Sequence, residues 1–161
     1  MKYRTVDEAH HFNFKDADII EIGMEGKRLV LNLGHVTILP ENTCNRDIRE
    51  MGTDEMVFQI QNAEIVQFVK EGYKVYDADG NLKESFEDRT LGQEEYGQAF
   101  KQLAQGAMYD LQRKSLEDTE GCYEYDIYLD EDATGRTYRL TVRGKHDIQE
   151  WVRFMNRESS Y

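Results

Sequence analysis

Apolar and polar residues alternate along this chain in short runs joined by tight polar turns. Ile20, Ile22 and Met24 alternate with Glu21 and Gly23, and after Glu25-Gly26-Lys27-Arg28 the pattern resumes at Leu29, Leu31 and Leu33. Period two puts each set on one face of a strand. A four-residue loop then sets Met24 opposite Leu29, Ile22 opposite Leu31 and Ile20 opposite Leu33, a hairpin with one apolar side. Residues 35–39 predict a further strand ended by Pro40, and Met56, Phe58 and Ile60 begin another that resumes over 64–69. Between them, 41–55 is a long polar connection carrying Cys44.

Further on, the two runs 73–76 and 82–86 flank Asp77-Ala78-Asp79-Gly80-Asn81, a turn of residues that tolerate left-handed backbone angles, and so predict a second hairpin. Residues 108–113 read as strand, 115–121 as a polar loop, and 122–130 with 136–143 as a long hairpin. Its inner face carries Tyr123, Tyr125, Ile127 and Leu129 against Tyr138, Leu140 and Val142. A four-residue loop pairs Asp126 with Arg139 and Glu124 with Thr141 on a solvated outer face.

Three capping patterns predict helices: Thr5 with Glu8, Thr90 with Gln93, and Asp147 with Glu150. The first helix is short and ends near Phe12. The second has an apolar stripe of Tyr96, Ala99, Phe100 and Leu103 closed by Gly106, and the third places Ile148, Trp151, Val152 and Met155 on one side. The expected fold is therefore α+β, mainly antiparallel β. It has about eight to ten short strands in a sandwich-like arrangement, preferred over a closed barrel, with about three flanking helices. Residues 1–161 are expected to form a single globular domain.

Charge narrows the partners. Thirty-two acidic against twenty basic residues give a net charge of −12, which repels phosphate backbones and anionic headgroups, so neither nucleic acid nor membrane is expected. The segment Met1-Lys2-Tyr3-Arg4-Thr5-Val6-Asp7-Glu8 turns acidic where a signal peptide would need an apolar run, which predicts a soluble cytoplasmic protein. Cys44 and Cys122 lie far apart and form no C-x-x-C pair, so two reduced thiols are expected.

Candidate chemistry is sparse. His10 and His11 are adjacent near the end of the first expected helix, where their side chains diverge. His35 and His146 belong to no metal-binding spacing. The acidic turns Asp77-Asp79 and Asp130-Glu131-Asp132 invite a calcium test. In an EF-hand register with Gly80 at the glycine position, however, Val75 and Phe86 fall where ligands are required. No G-x-S-x-G, G-x-G-x-x-G or G-x-x-x-x-G-K occurs, and of the two thiols Cys44, in its long loop near Arg46 and Arg49, is the less ordinary. No catalytic residue, metal site or cofactor is expected.

Phe12-Asn13-Phe14-Lys15-Asp16-Ala17-Asp18-Ile19, the hairpin after it, and Phe58-Gln59-Ile60-Gln61-Asn62-Ala63-Glu64-Ile65 resemble the layout of small uncharacterised proteins of gut Firmicutes. Some of these carry the automatic label of a subtilin biosynthesis sensor. The resemblance implies no established activity. A sensor kinase would need membrane spans, a phosphoacceptor-histidine helix and a nucleotide-binding glycine region. By fold-level analogy, small bacterial proteins of this shape also resemble immunity proteins of toxin systems.

The expected function is that of a non-enzymatic protein-binding module, in the manner of an immunity protein. Its contact surfaces, the 41–55 loop and the acidic tips with Asp77, Asp79, Asp130, Glu131 and Asp132, would meet a partner with a basic surface. The alternative is a calcium- or small-molecule-binding β-sandwich using the same loops. Sequence leaves the oligomeric state open.

Overall fold

The computed structural model describes residues 2–116 and 120–156. Its strands are β1 (Tyr3–Val6), β2 (Phe12–Asn13), β3 (Asp18–Glu25), β4 (Arg28–Gly34), β5 (Thr37–Ile38), β6 (Met51–Thr53) and β7 (Glu55–Lys70). These are followed by β8 (Tyr73–Tyr76), β9 (Leu82–Phe86), β10 (Arg89–Thr90), β11 (Ala107–Ser115), β12 (Cys122–Asp130), β13 (Thr137–Trp151) and β14 (Phe154–Asn156). Helix α1 (Tyr96–Leu103) follows a 3₁₀ turn at Gln93–Glu95, and a second 3₁₀ turn spans Ala9–His11.

The strands close on themselves. The long β7 and β13 pair from Tyr138 opposite Lys70 to Trp151 opposite Met56. From β13 the hydrogen-bonded order runs through β12, β11, β3 and β4 back to β7, so six antiparallel strands form a ring. This corrects the sandwich expectation. Closure removes most of the sheet's edges, and it demands tilt and bending that β13 supplies through register shifts around Thr141–Asp147. Gly144 lies in that bend, where a Cβ would sit 2.2 Å from Ile60 Cγ2.

The ring is narrowest in pairing between β3 and β11, which meet in the ladder only at Asp18 opposite Ala107. Backbone bonds from Ile19 N to Gly106 O (2.9 Å) and from Gln105 N to Ile19 O (2.8 Å) extend the seam, and α1 packs against β3 beside it. The interior is filled: Leu31, Leu33, Phe58, Ile60, Ile127, Leu129, Leu140 and Val142 have no exposure to solvent. A ring this small holds side chains rather than a ligand.

Each end of the ring has its own plug. At the Lys70 end of β7, Ala99, Phe100 and Leu103 of α1 are buried, and Phe68 lies 5.4 Å from Phe100 and 5.8 Å from Tyr138 between ring centroids. At the Glu55 end, the N-terminal segment folds over. Phe14 meets Phe58 edge-on, and Tyr3 and Phe12 pack on Trp151. A small sheet ordered β14-β6-β5-β2 covers the same end.

Among the described residues α1, with its 3₁₀ entry, is the one α-helix, so three flanking helices are not found. The Thr5–Glu8 pattern lies in β1 and the turn after it, because residues 3–6 pair with Ile148–Trp151 of β13. The Asp147–Glu150 pattern lies inside β13 itself. There the strand is covered on both faces, Asp147, Ile148, Gln149 and Trp151 all being buried, and period-two alternation disappears from the sequence. The first hairpin pairs as expected at Met24–Leu29 and Ile22–Leu31. A bulge then puts Ile19, not Ile20, opposite Leu33, and leaves Ile20 exposed. In the long hairpin a six-residue connection replaces the expected four, pairing Asp126 with Thr141 and Glu124 with Arg143. A shift of two keeps every residue on its face, so the inner set survives, with Tyr123 half-buried at its end. The polar loop expected over 115–121 lies partly outside the described residues.

Candidate functional site

Strands β8 and β9 pair only with each other, forming a two-stranded arm off the barrel. Every residue of the arm's strands is exposed except Val75, which is half-buried. Tyr73 faces Phe86 and Tyr76 faces Leu82 across the ladder, and these four side chains are 41–56 % exposed. Tyr73 and Tyr76 are three positions apart on β8, so the two apolar pairs lie on opposite faces of the ribbon. An isolated hairpin is marginal in water, and the contacts that brace this one are at its base. There Tyr73 stacks on Phe86 at 4.5 Å, the Arg136 guanidinium lies 4.6 Å over the Tyr73 ring, and Arg136 donates to the Glu71 carbonyl.

Gly72 makes the base possible. Its N–H donates to Asp88 Oδ1 at 2.7 Å, and a Cβ there would lie 2.1 Å from the Phe86 carbonyl oxygen. Gly72→Ala is expected to force the two strands apart at the root. Amide exchange in β8 and β9 should then rise toward that of an unstructured peptide while β12 stays protected. Unchanged protection in the arm would mean that the root tolerates a side chain.

The structure spreads the five acidic residues expected to act together. Asp77 and Asp79 occupy the arm's tip, where Asp77 Oδ1 accepts the amides of Asp79 and Asn81 (both 2.9 Å) and holds the turn. Asp130 ends β12 opposite Thr137, and Glu131 and Asp132 open the β12–β13 connection, which packs on the arm's root along a surface groove of ≈ 520 Å³ lined by Glu71, Tyr73, Thr134 and Arg136. The tip stands a four-residue strand beyond that root, about 13 Å away by strand rise. Asp130 accepts the Thr137 hydroxyl at 2.6 Å. Glu131 is buried and accepts the Thr134 hydroxyl at 2.9 Å, while Asp132 is exposed. Burial, and then the Glu131 carboxylate, pushes the Tyr138 phenol up.

A second constellation, unnamed by the sequence reading, lies under the N-terminal segment. Asp147 has no solvent exposure and its carboxylate accepts four donors: Arg113 Nη1 (2.9 Å), Tyr125 OH (2.6 Å), Gln149 Nε2 (2.5 Å) and the Ala9 amide (3.0 Å). Burial, and then the adjacent Asp147 charge, pushes the Tyr125 phenol well up, so it stays a donor. Arg113 also donates to the Asp7 carbonyl (2.9 Å) and to His10 Nδ1 (2.7 Å), and lies 4.2 Å over the Tyr123 ring. Asp7 accepts His146 Nδ1 at 2.7 Å and the Asp147 amide at 3.1 Å, and both Asp7 and His146 have positive φ, 59° and 64°. Gly121 gives the His146 ring its space: a Cβ there would lie 2.5 Å from Cε1.

The other expected candidates are placed apart. His10 and His11 sit on a 3₁₀ turn rather than a helix, with ring centroids 3.9 Å apart. His11 bonds Glu8, which also accepts the Thr43 hydroxyl and amide; these bonds outweigh the effect of Glu8's partial burial and hold its carboxyl below the usual range. His35 pairs with Asp18 at 2.8 Å. Cys44 and Cys122 are both half-buried free thiols.

Among the described residues no three His, Cys, Asp or Glu side chains gather as a metal would need, and no helix is long and apolar enough to cross a membrane. No family model, curated protein or solved structure matches this chain.

Proposed function

We propose that this protein is a non-enzymatic binding module that presents its β8–β9 arm to a protein partner with a basic surface, in the manner of an acidic immunity protein meeting a cationic toxin. The observation that supports this reading is the arm itself. It holds four large apolar side chains in solvent, on both faces of a ribbon; the Tyr73–Phe86 stack braces its root, and Tyr76 with Leu82 stands toward the tip. Residues 71–88 also carry six carboxylates against Lys74 and Lys83, a net charge of −4. Acidic charge at the tip accelerates encounter with a basic surface, and Tyr76 with Leu82 supplies an apolar contact once docked.

The test is capture from a lysate of the source organism by the wild-type protein and by a Tyr76→Ser/Leu82→Ser variant. A stoichiometric basic protein, held by the wild type and lost from the variant, is the expected result. The fold should be unaffected because both side chains are exposed. Equal capture by the two proteins would remove the arm from the interaction.

A further inference from the structure

We propose that the N-terminal segment is a proton-operated clasp, released from the barrel end when His10 takes up a proton against Arg113. The clasp consists of β1, the 3₁₀ turn and β2. It covers the β13 edge through the Tyr3–Trp151 to Val6–Ile148 ladder, and it covers Trp151 through Tyr3 and Phe12. Its polar anchor is Arg113, which joins Asp147, the Asp7 carbonyl and His10.

The chemistry of the latch is set by one bond. Arg113 Nη2 can only donate, so His10 Nδ1 at 2.7 Å must be the acceptor, which requires the neutral ring with its proton on Nε2. Protonation turns that acceptor into a donor and sets two cations face to face. The groups around His10 are Arg113 from β11, Asp147 from β13, and His11 and Glu8 from its own segment. His10 is exposed, but the desolvation it does undergo, then the His11 and Arg113 charges, hold the ring below its ordinary value against the opposing pull of Asp147 and Glu8. Two further histidines face carboxylates instead, His11 of the clasp on Glu8 and His146 of β13 on Asp7, so neither is set against a cation.

The sign follows from linkage. A histidine held low in the closed form stabilises closure fully above the free imidazole value near 6.5. That contribution is lost as pH falls toward the lower value in the clasp, and one proton limits the rise of the open-to-closed ratio across this window to about tenfold per pH unit at the steepest.

Trp151, the single tryptophan, reports the event because it has no exposure in the closed form and stacks on Tyr3 of the clasp. Acrylamide quenching of Trp151 and amide exchange of β1, corrected for intrinsic rates, would be followed from pH 7.5 to 5, with β12 exchange as the reference. The wild type is expected to show rising quenching and β1 exchange while β12 stays protected. His10→Gln, whose side-chain oxygen accepts from Arg113 without titrating, is expected to abolish the transition. His11→Gln and His146→Gln should each retain it. A wild type that stays closed to pH 5, a β12 that opens together with β1, or a His10→Gln variant with an unchanged transition would each overturn the proposal.

Discussion

Replacing Arg113 by Met is expected to destabilise the protein by about 3–5 kcal/mol, because it strips the cation paired with a carboxylate that has no access to water. Asp147 would keep Tyr125, Gln149 and the Ala9 amide, three neutral donors, around an uncompensated negative charge. Arg113 also holds the Asp7 carbonyl and His10, so the same change loosens the N-terminal segment. Urea unfolding should show a lower midpoint with an unchanged slope. Adding Asp147→Asn should cost less than the sum of the two single changes, since the amide no longer needs a counter-charge; strict additivity would mean that the guanidinium and the carboxylate do not act as a pair.

This centre explains why part of the fold was legible in the sequence and part was not. Where a strand has one face inside and one outside, as in β3, β4 and β12, alternation named the buried residues: Ile22, Leu29, Leu31, Leu33, Tyr125, Ile127 and Leu129. The β8–β9 hairpin was legible for a different reason, since Asp77, Gly80 and Asn81 specify a turn whatever surrounds it. Closure was not legible, because it rests on β7 pairing with β4 on one side and β13 on the other, contacts distant in sequence with no local signal.

Asp147 looks like a helix cap in the sequence because Asp with Glu three residues on is a capping pattern, and nothing local shows that Tyr3–Val6 pairs alongside it. Residues 142–151 read Val142-Arg143-Gly144-Lys145-His146-Asp147-Ile148-Gln149-Glu150-Trp151, a polar stretch in which nothing local distinguishes the buried Asp147 and Gln149 from their more exposed polar neighbours. Arg113 and Tyr125 carry no local mark either. As for the acidic residues, turn composition placed Asp77 and Asp79 at a tip, but could not show that Glu131 turns inward.

Trp151→Ala is the other substitution with a large expected effect, about 3–5 kcal/mol, because one side chain closes an end of the barrel. Its ring has no exposure and packs at 5.7 Å on Tyr3, 5.6 Å on Phe12 and 5.6 Å on Phe154, so β1, β2 and β14 share one anchor. Its backbone also pairs with Tyr3 on one side and Met56 on the other. For a chain of 161 residues such a loss lowers the melting temperature by roughly 10 °C. Trp151→Phe separates packing from polarity. Among the described residues the indole N–H has no acceptor, and leaving a buried donor unpaired costs about 1–3 kcal/mol. Phenylalanine keeps much of the ring contact and sheds that penalty, so it should lose well under half of what alanine loses. If the two variants melted together, the indole N–H would have to be making a bond that holds this end of the barrel, and the aromatic cluster would be secondary.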